Sequence, residues 1–178
     1  MKLFNDKNHL LLLNFLLFQI GWFACVLGGN AIALLTTLAV LAIHFGFVSH
    51  WKKEREVLAT TLLLGGSIDS FLSHLGIITF PGDSLLIPPW LACLWVLFGT
   101  TLRHSLLWTS RYKLAGALCG AIAGSLSYYA GSQLTDVQLA TPLWIPLLVY
   151  AIVWLLLIPL LQSFSNIWLI RYKKNCLP

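Results

Sequence analysis

Six apolar runs, separated by short polar or basic segments, dominate this sequence. A helix needs about 20 largely apolar residues to cross the hydrocarbon core of a bilayer. Only 10% of the residues are charged, against roughly 25% in soluble domains, so the chain has no room for a separate soluble domain. We therefore predict an all-α, polytopic six-helix transmembrane bundle forming one integral membrane domain over 1–178, with spans near 10–27, 31–48, 58–80, 90–108, 114–131 and 143–162.

The basic residues predict how these spans are oriented. They cluster at the N-terminus, in the second and fourth loops and at the C-terminus, whereas the first, third and fifth loops lack Lys and Arg and carry only Asp83 and Asp136. The positive-inside rule then places both termini in the cytoplasm. The formal charge of +5 is therefore explained by basic residues in the cytoplasmic segments. We expect no nucleic-acid partner, because no basic stripe is interleaved with aromatic residues. The residues in question are Lys2, Lys7, Lys52, Lys53, Arg55, Arg111, Lys113, Arg171, Lys173 and Lys174.

Two charges interrupt the apolar runs, Asp69 in the third span and Arg103 in the fourth. An ionisable residue at bilayer depth costs about 2.5–3.5 kcal/mol on translocon scales, so it is usually paired or functional. Helical side chains lean toward the N-terminus of their own helix, which inclines these two toward each other in antiparallel spans. We therefore predict an Asp69–Arg103 contact, whose role is either structural or functional. Gly65, on the same helical face as Asp69, should let a partner helix approach.

Further polar side chains fall near the predicted inner ends of the spans. His44 and His104 reach similar depths, and Asn14 and Gln19 interrupt the first span, so these four residues predict a polar girdle that opens toward the cytoplasm. His74 should face away from Asp69. No HxxxH or HExxH spacing occurs, so we expect neither a metal site nor another cofactor. The candidate catalytic residues are Asp69, His104, Arg103 and His44.

Two features concern packing. Gly116, Gly120 and Gly124 repeat every four residues in the fifth span and create a smooth face, suited either to packing within the chain or to a homo-oligomer or neighbouring membrane protein. Cys25 and Cys93 both fall toward the outer side, where a disulfide is conceivable, although two small buried apolar residues are the simpler interpretation.

Four stretches resemble, in matching order, a bacterial inner-membrane family catalogued as a domain of unknown function, number twenty-eight seventy-eight. The resemblance covers nearly the whole chain and implies a small multi-pass inner-membrane protein. It also implies that the gene lies near genes for fatty-acid or lipid modification, and it supplies no catalytic residues. The stretches are NFLLFQIGWFACVLGG (14–29), GGSIDSFL (65–72), PPWLACLWVLFGTTLRHSLLW (88–108) and GALCGAIAGSLSYYAGSQL (116–134).

Three functions are consistent with these observations. The first is a non-catalytic, lipid-binding or accessory component of a membrane lipid-modifying system, with membrane lipids as its partners. The second is a lipid-modifying enzyme that uses Asp69, His104 and Arg103, together with His44, for acid–base chemistry. The third is a small proton-coupled carrier with Asp69 as its proton site, although no inverted repeat relates the two halves of the chain.

Overall fold

The computed structural model describes residues 7–82 and 86–176, and it confirms the all-α class. Within these residues, three helical segments are long and apolar enough to cross a membrane: Asn8–Val48, Lys113–Leu134 and Trp144–Lys174. Lys2 and Asp83, which entered the topology prediction, lie outside the described residues. In chain order the elements are α1 (Lys7–Ile43), a π-helical turn (His44–Val48), α2 (Trp51–His74), β1 (Ile78–Thr79), α3 (Pro89–Gly99), α4 (Trp108–Arg111), α5 (Lys113–Leu134), β2 (Gln138–Leu139) and α6 (Trp144–Cys176).

Helix α1 folds back on itself at Gly29. This residue has φ 66° and ψ −175°, a conformation that costs glycine little and other residues much more. The arms before and after it therefore form a helical hairpin. Asn14 on the first arm bonds to Ser105, and His44, just beyond the second arm, contacts His104. In a straight helix Asn14 and His44 would lie about 45 Å apart.

Helix α2 ends at His74, six residues before the predicted end of the third span at Phe80. Gly76 adopts φ 70°, and the N–H groups of Gly76 and Ile77 donate to the carbonyls of Ser73 and Leu72. This is a Schellman motif, in which a left-handed glycine caps the free carbonyls of the last helical turn. The chain then leaves the helix and Ile78 enters β1, so the predicted helix over 75–80 is wrong.

The fourth apolar run is likewise not one helix. Helix α3 ends at Gly99, and turns occupy 100–107 before α4 begins. Thr100 and Thr101 donate their hydroxyl protons to the carbonyls of Leu97 and Phe98, bonds that compete with continuation of the helix. The prediction of a continuous helix from Trp90 to Trp108 is therefore wrong in its second half.

Two amide side chains satisfy backbone groups that this interruption frees. Gln162 Nε2, on α6, lies 3.0 Å from the carbonyl oxygen of Leu102 and 3.1 Å from that of Leu106. Asn14 donates to the carbonyl of Thr100 at 3.1 Å and accepts from the backbone N–H of Ser105 at 3.2 Å. Both amides are buried. Irregular backbone inside a protein is tolerated where its N–H and C=O groups find partners, and these contacts meet that condition.

At the end of the molecule opposite these turns, a strand pair and one hydrogen bond link the segments that connect the helices. Strands β1 and β2 pair antiparallel, with Ile78 opposite Leu139. Asn30, next to the α1 kink, accepts a hydrogen bond from the N–H of Trp90 in the first turn of α3. These contacts hold the α1 kink, the start of α3 and the ends of α2 and α5 in fixed positions.

The glycine face of α5 packs within the chain. A Cβ atom added at Gly124 would lie 2.2 Å from the Trp154 ring, and one at Gly120 would lie 2.5 Å from Ile158, both on α6. At Gly116 it would lie 2.6 Å from Thr109. The three glycines therefore allow α6 and α4 to approach closely. The thiols of Cys25 and Cys93 are free.

Replacing Gln162 by leucine tests the interruption in the fourth apolar run. Loss of the amide leaves the buried carbonyl of Leu102 without this donor, so we expect the free energy of unfolding to fall by about 1–3 kcal/mol. The carbonyl of Leu106 keeps its bonds from Thr109. Gln133→Leu, at an exposed position on α5, is the control and should have little effect. Unfolding in mixed micelles measures both, and equal stability of the two variants would contradict this role for Gln162.

Candidate functional site

The Asp69 carboxylate joins four helices. Trp95 Nε1, on α3, donates to it at 2.7 Å. The Tyr128 hydroxyl, on α5, lies 2.7 and 2.8 Å from its two oxygens, and the Tyr150 hydroxyl, on α6, lies 3.4 Å from one of them. Asp69 itself is completely buried. Three donors thus compensate for removing the carboxylate from water, which would otherwise be very costly.

The neighbouring packing explains how the donors reach Asp69. A Cβ atom added at Gly65 would lie only 2.2 Å from the Trp95 ring, so this glycine makes room for the indole. The rings of Tyr128 and Tyr150 stack with their centroids 3.6 Å apart. The predicted role of Gly65 beside the carboxylate is therefore confirmed. His74 is exposed and faces away from this buried site, as predicted.

The predicted contact between Asp69 and Arg103 is wrong. Arg103 instead donates to Ser165 and to the carbonyl of Lys53, and its Nη1 lies 3.8 Å from Glu54 Oε2. Glu54 and Asp69 are fifteen residues apart in α2, which separates them by about 22 Å along the helix axis. The lean of the side chains cannot bridge that distance. The four candidate catalytic residues therefore do not form one centre.

An apolar pocket lies against the Asp69 cluster, between the first arm of α1 and helices α3 and α5. It holds about 600 Å³ of empty space, its open mouth included. Aromatic rings dominate its walls, and Tyr128 and Trp95 both line it while they bond to Asp69. Trp22 closes one side by donating to Ser127 at 3.0 Å. Walls of this composition, apolar and aromatic with a few polar groups, are typical of ligand sites.

A second polar cluster lies toward the other end of α2. It contains Glu54, in the first turns of that helix, His44, in the π-helical turn, and Arg103 and His104, in the turns after α3. His104 Nε2 lies 3.4 Å from Glu54 Oε1, and the His44 and His104 rings lie 5.1 Å apart. The structure thus brings three of the four candidate residues together around a carboxylate. Of the remaining residues of the predicted girdle, Asn14 on α1 is buried against the turns after α3, whereas Gln19 is exposed.

The Glu54 carboxylate is stabilised as an anion although it is completely buried. Burial alone would raise its pKa, but hydrogen bonds from His104 and Ser49, together with the nearby Arg103 guanidinium, hold the pKa of Glu54 below its usual value. The Ser49 hydroxyl donates to Oε1 at 2.7 Å. The cluster therefore offers a negative carboxylate beside two imidazoles, a donor set that can hold a metal ion.

Glu54 is absent from the predicted site residues because it lies in the charged segment HWKKEREV (50–57), whose composition is typical of a loop between two spans. The spacing along α2 indicates that Glu54 is buried. Buried positions recur at helical spacing from Glu54 to Asp69, so both carboxylates lie on the same face of the helix. The tyrosine partners of Asp69 are indicated less strongly by the sequence. A tyrosine within an apolar helix usually needs a hydrogen-bond partner for its hydroxyl, but the sequence does not specify which one. The recurring positions are Glu54, Val57, Leu58, Thr61, Gly65, Asp69 and Leu72.

The fold and these two clusters define a helical membrane protein with polar groups buried between its helices. The model of the family described as "Protein of unknown function (DUF2878)" matches residues 11–160. The chain therefore belongs to that family, which confirms the resemblance found in the sequence. No curated protein and no solved structure matches the chain.

The two tyrosines should differ in their contribution to stability. Tyr128→Phe removes one short bond, shared between the two oxygens of Asp69, so we expect the free energy of unfolding to fall by about 1–2 kcal/mol. Tyr150→Phe removes one long bond and should cost less. Tyr129→Phe, at the exposed neighbouring position, is the control. Equal effects of Tyr128→Phe and Tyr129→Phe on unfolding in mixed micelles would contradict the bonding described above.

Proposed function

We propose that the chain crosses the bacterial inner membrane six times, with both termini in the cytoplasm. The kink at Gly29 supports two crossings by α1, because each arm then runs in the opposite direction. Helices α5 and α6 supply two more, since both are long and apolar enough. The remaining two would be α2 and the segment of α3, turns and α4, which are more polar or shorter.

The arrangement of charges supports this orientation. Lys53 and Glu54 meet Arg103 and Ser165, which brings the second loop, the turns that precede the fourth loop and the C-terminal part of α6 to one end. The basic clusters flank these segments. The opposite end carries the β1–β2 pair and the exposed Asp136. Positive charge on one end alone is what the positive-inside rule requires.

For the activity, we propose a non-catalytic lipid-binding protein that serves as an accessory component of a membrane lipid-modifying system. The observation that carries this proposal is the aromatic pocket beside Asp69, because its walls suit a hydrocarbon chain. The Tyr128 hydroxyl, whose proton goes to Asp69, can still accept one hydrogen bond from a headgroup donor. A neighbouring membrane protein remains a proposed partner. It would use a surface other than the glycine face of α5, which α6 already covers.

The enzyme alternative changes in the light of the geometry. An active centre that combines Asp69 with His104 and Arg103 loses support. His104 and Arg103 lie beside Glu54, which is about 22 Å from Asp69 along α2. An enzyme would instead use Asp69 and Tyr128 next to the pocket, or the His44–Glu54–His104 cluster. The carrier alternative retains Asp69 as its proton site, with the interrupted fourth run as the feature that favours it.

Gly131 offers a way to fill the pocket without disturbing the fold. It lines the pocket, and a Cβ atom added there would meet no heavy atom within 4 Å. If leucine at this position displaces about two methylenes of a bound chain, each worth about 0.8 kcal/mol, binding should weaken about tenfold. Photolabelling of purified protein with a diazirine-bearing fatty acid measures this effect for Gly131→Leu.

Ala123→Leu is the matched control, since it enlarges an exposed position on the same helix. We expect it to label like the wild type, with the label recovered on α1 and α3. Equal labelling of Gly131→Leu and Ala123→Leu would contradict lipid binding in this pocket. Recovery of a chemically altered fatty acid from the wild type alone would favour the enzyme over the accessory protein.

A further inference from the structure

We propose that His44, Glu54 and His104 form a binding site for a divalent transition-metal ion, with Zn²⁺ as the best fit. The three residues come from different parts of the chain: the π-helical turn after α1, the first turns of α2, and the turns after α3. One ligand atom from each lies within 4.8 Å of the other two. Two imidazole nitrogens and one carboxylate oxygen are a typical ligand set for zinc that retains an open coordination position.

The distances are close to those that zinc requires. Ligand atoms about 2.0–2.1 Å from a tetrahedral ion lie roughly 3.3 Å from one another. His104 Nε2 and Glu54 Oε1 are already 3.4 Å apart. His44 completes the set after a small movement of its ring, since its nearest ligand atom lies within 4.8 Å of both. A π-helical turn, such as the one that carries His44, is a frequent feature of functional sites.

The state of His44 is an independent indication of a ligand. Its side chain is completely buried, and within the part of the chain that the structure describes neither ring nitrogen has a hydrogen-bond partner. Leaving a buried polar group unsatisfied costs about 1–3 kcal/mol. A histidine that served only as packing could be phenylalanine without this cost. A metal bond to one nitrogen would account for an imidazole at this position.

The surroundings of Glu54 resemble the outer shell of a metal site. Ser49 donates to the carboxylate and so fixes its orientation, as outer-shell partners of metal ligands do. Arg103 is held by Ser165 and by the carbonyl of Lys53, and its Nη1 remains 3.8 Å from Glu54 Oε2. The arginine is therefore tied to α6 and to the backbone of α2, which leaves carboxylate oxygen available to an ion.

The competing interpretation is a purely structural network, in which His104 and Arg103 only neutralise Glu54. It makes different predictions for His44. In that network His44→Phe removes two unsatisfied nitrogens and leaves metal binding, if any, unchanged. In the metal site the same variant removes a ligand while the protein still folds.

Metal binding is measured on the full-length protein, purified in detergent through a tag without histidine, stripped with chelator and loaded with Zn²⁺ or Co²⁺. Elemental analysis gives the amount of zinc per chain, and the visible absorption of Co²⁺ reports tetrahedral nitrogen and oxygen ligation. We expect one ion per chain in the wild type. In His44→Phe and Glu54→Gln the affinity should fall by more than the roughly 10–100-fold loss that outer-shell mutations cause.

His50→Ala is the matched control, because His50 is exposed, lies close to Glu54 in sequence and makes no capping bond through its side chain. It should bind zinc like the wild type, and zinc should raise the melting temperature of both but not that of His44→Phe. A stripped wild type that takes up no zinc would overturn the proposal. Equal uptake by His44→Phe and the wild type would overturn it too, since the ion would then bind elsewhere.

Discussion

The structure depends on the buried carboxylate of Asp69 and the three hydrogen bonds that it accepts. Trp95, Tyr128 and Tyr150 donate from α3, α5 and α6 to a residue on α2, so one side chain fixes four helices relative to one another. Packing between transmembrane helices lacks the usual hydrophobic driving force, because lipid tails are as apolar as leucine. Directional bonds to one acceptor supply the specificity that apolar contact cannot. The aromatic pocket follows from this arrangement, since two of the donors form part of its wall.

The same face of α2 serves both polar clusters. Asp69 bonds to Trp95 and Tyr128 in the pocket wall. Glu54, about 22 Å away along the axis, faces His44, His104 and Arg103. The interruption after Gly99 makes the second cluster possible, because it turns Arg103 and His104 toward the start of α2. Gln162 and Asn14 stabilise the turns by bonding the backbone groups that the interruption frees. The aromatic pocket and the proposed metal site are thus separate places in one helical framework.

Hydropathy predicts the positions of the helical segments well, because long apolar runs have few alternatives. It does not predict where helices end. The end of α2 is set by the left-handed conformation of Gly76, and the end of α3 by hydroxyl bonds of Thr100 and Thr101, both local effects within apolar sequence. The Asp69–Arg103 prediction failed for a different reason. It used only the direction of the two side chains along their helices and their depth within the spans. The partners of a buried carboxylate depend instead on which donors tertiary packing brings within about 3 Å.

A double-mutant cycle between Asp69 and Tyr128 tests the central role of the carboxylate most directly. The free energy of unfolding is measured in mixed micelles for the wild type, Asp69→Ala, Tyr128→Phe and the double variant. Because Asp69→Ala alone leaves the Tyr128 hydroxyl buried without its acceptor, we predict that adding Tyr128→Phe costs little further stability, with a coupling energy of about 0.5–3 kcal/mol. Additive effects of the two substitutions would contradict the account, since they would show that the carboxylate and the hydroxyl do not act on each other.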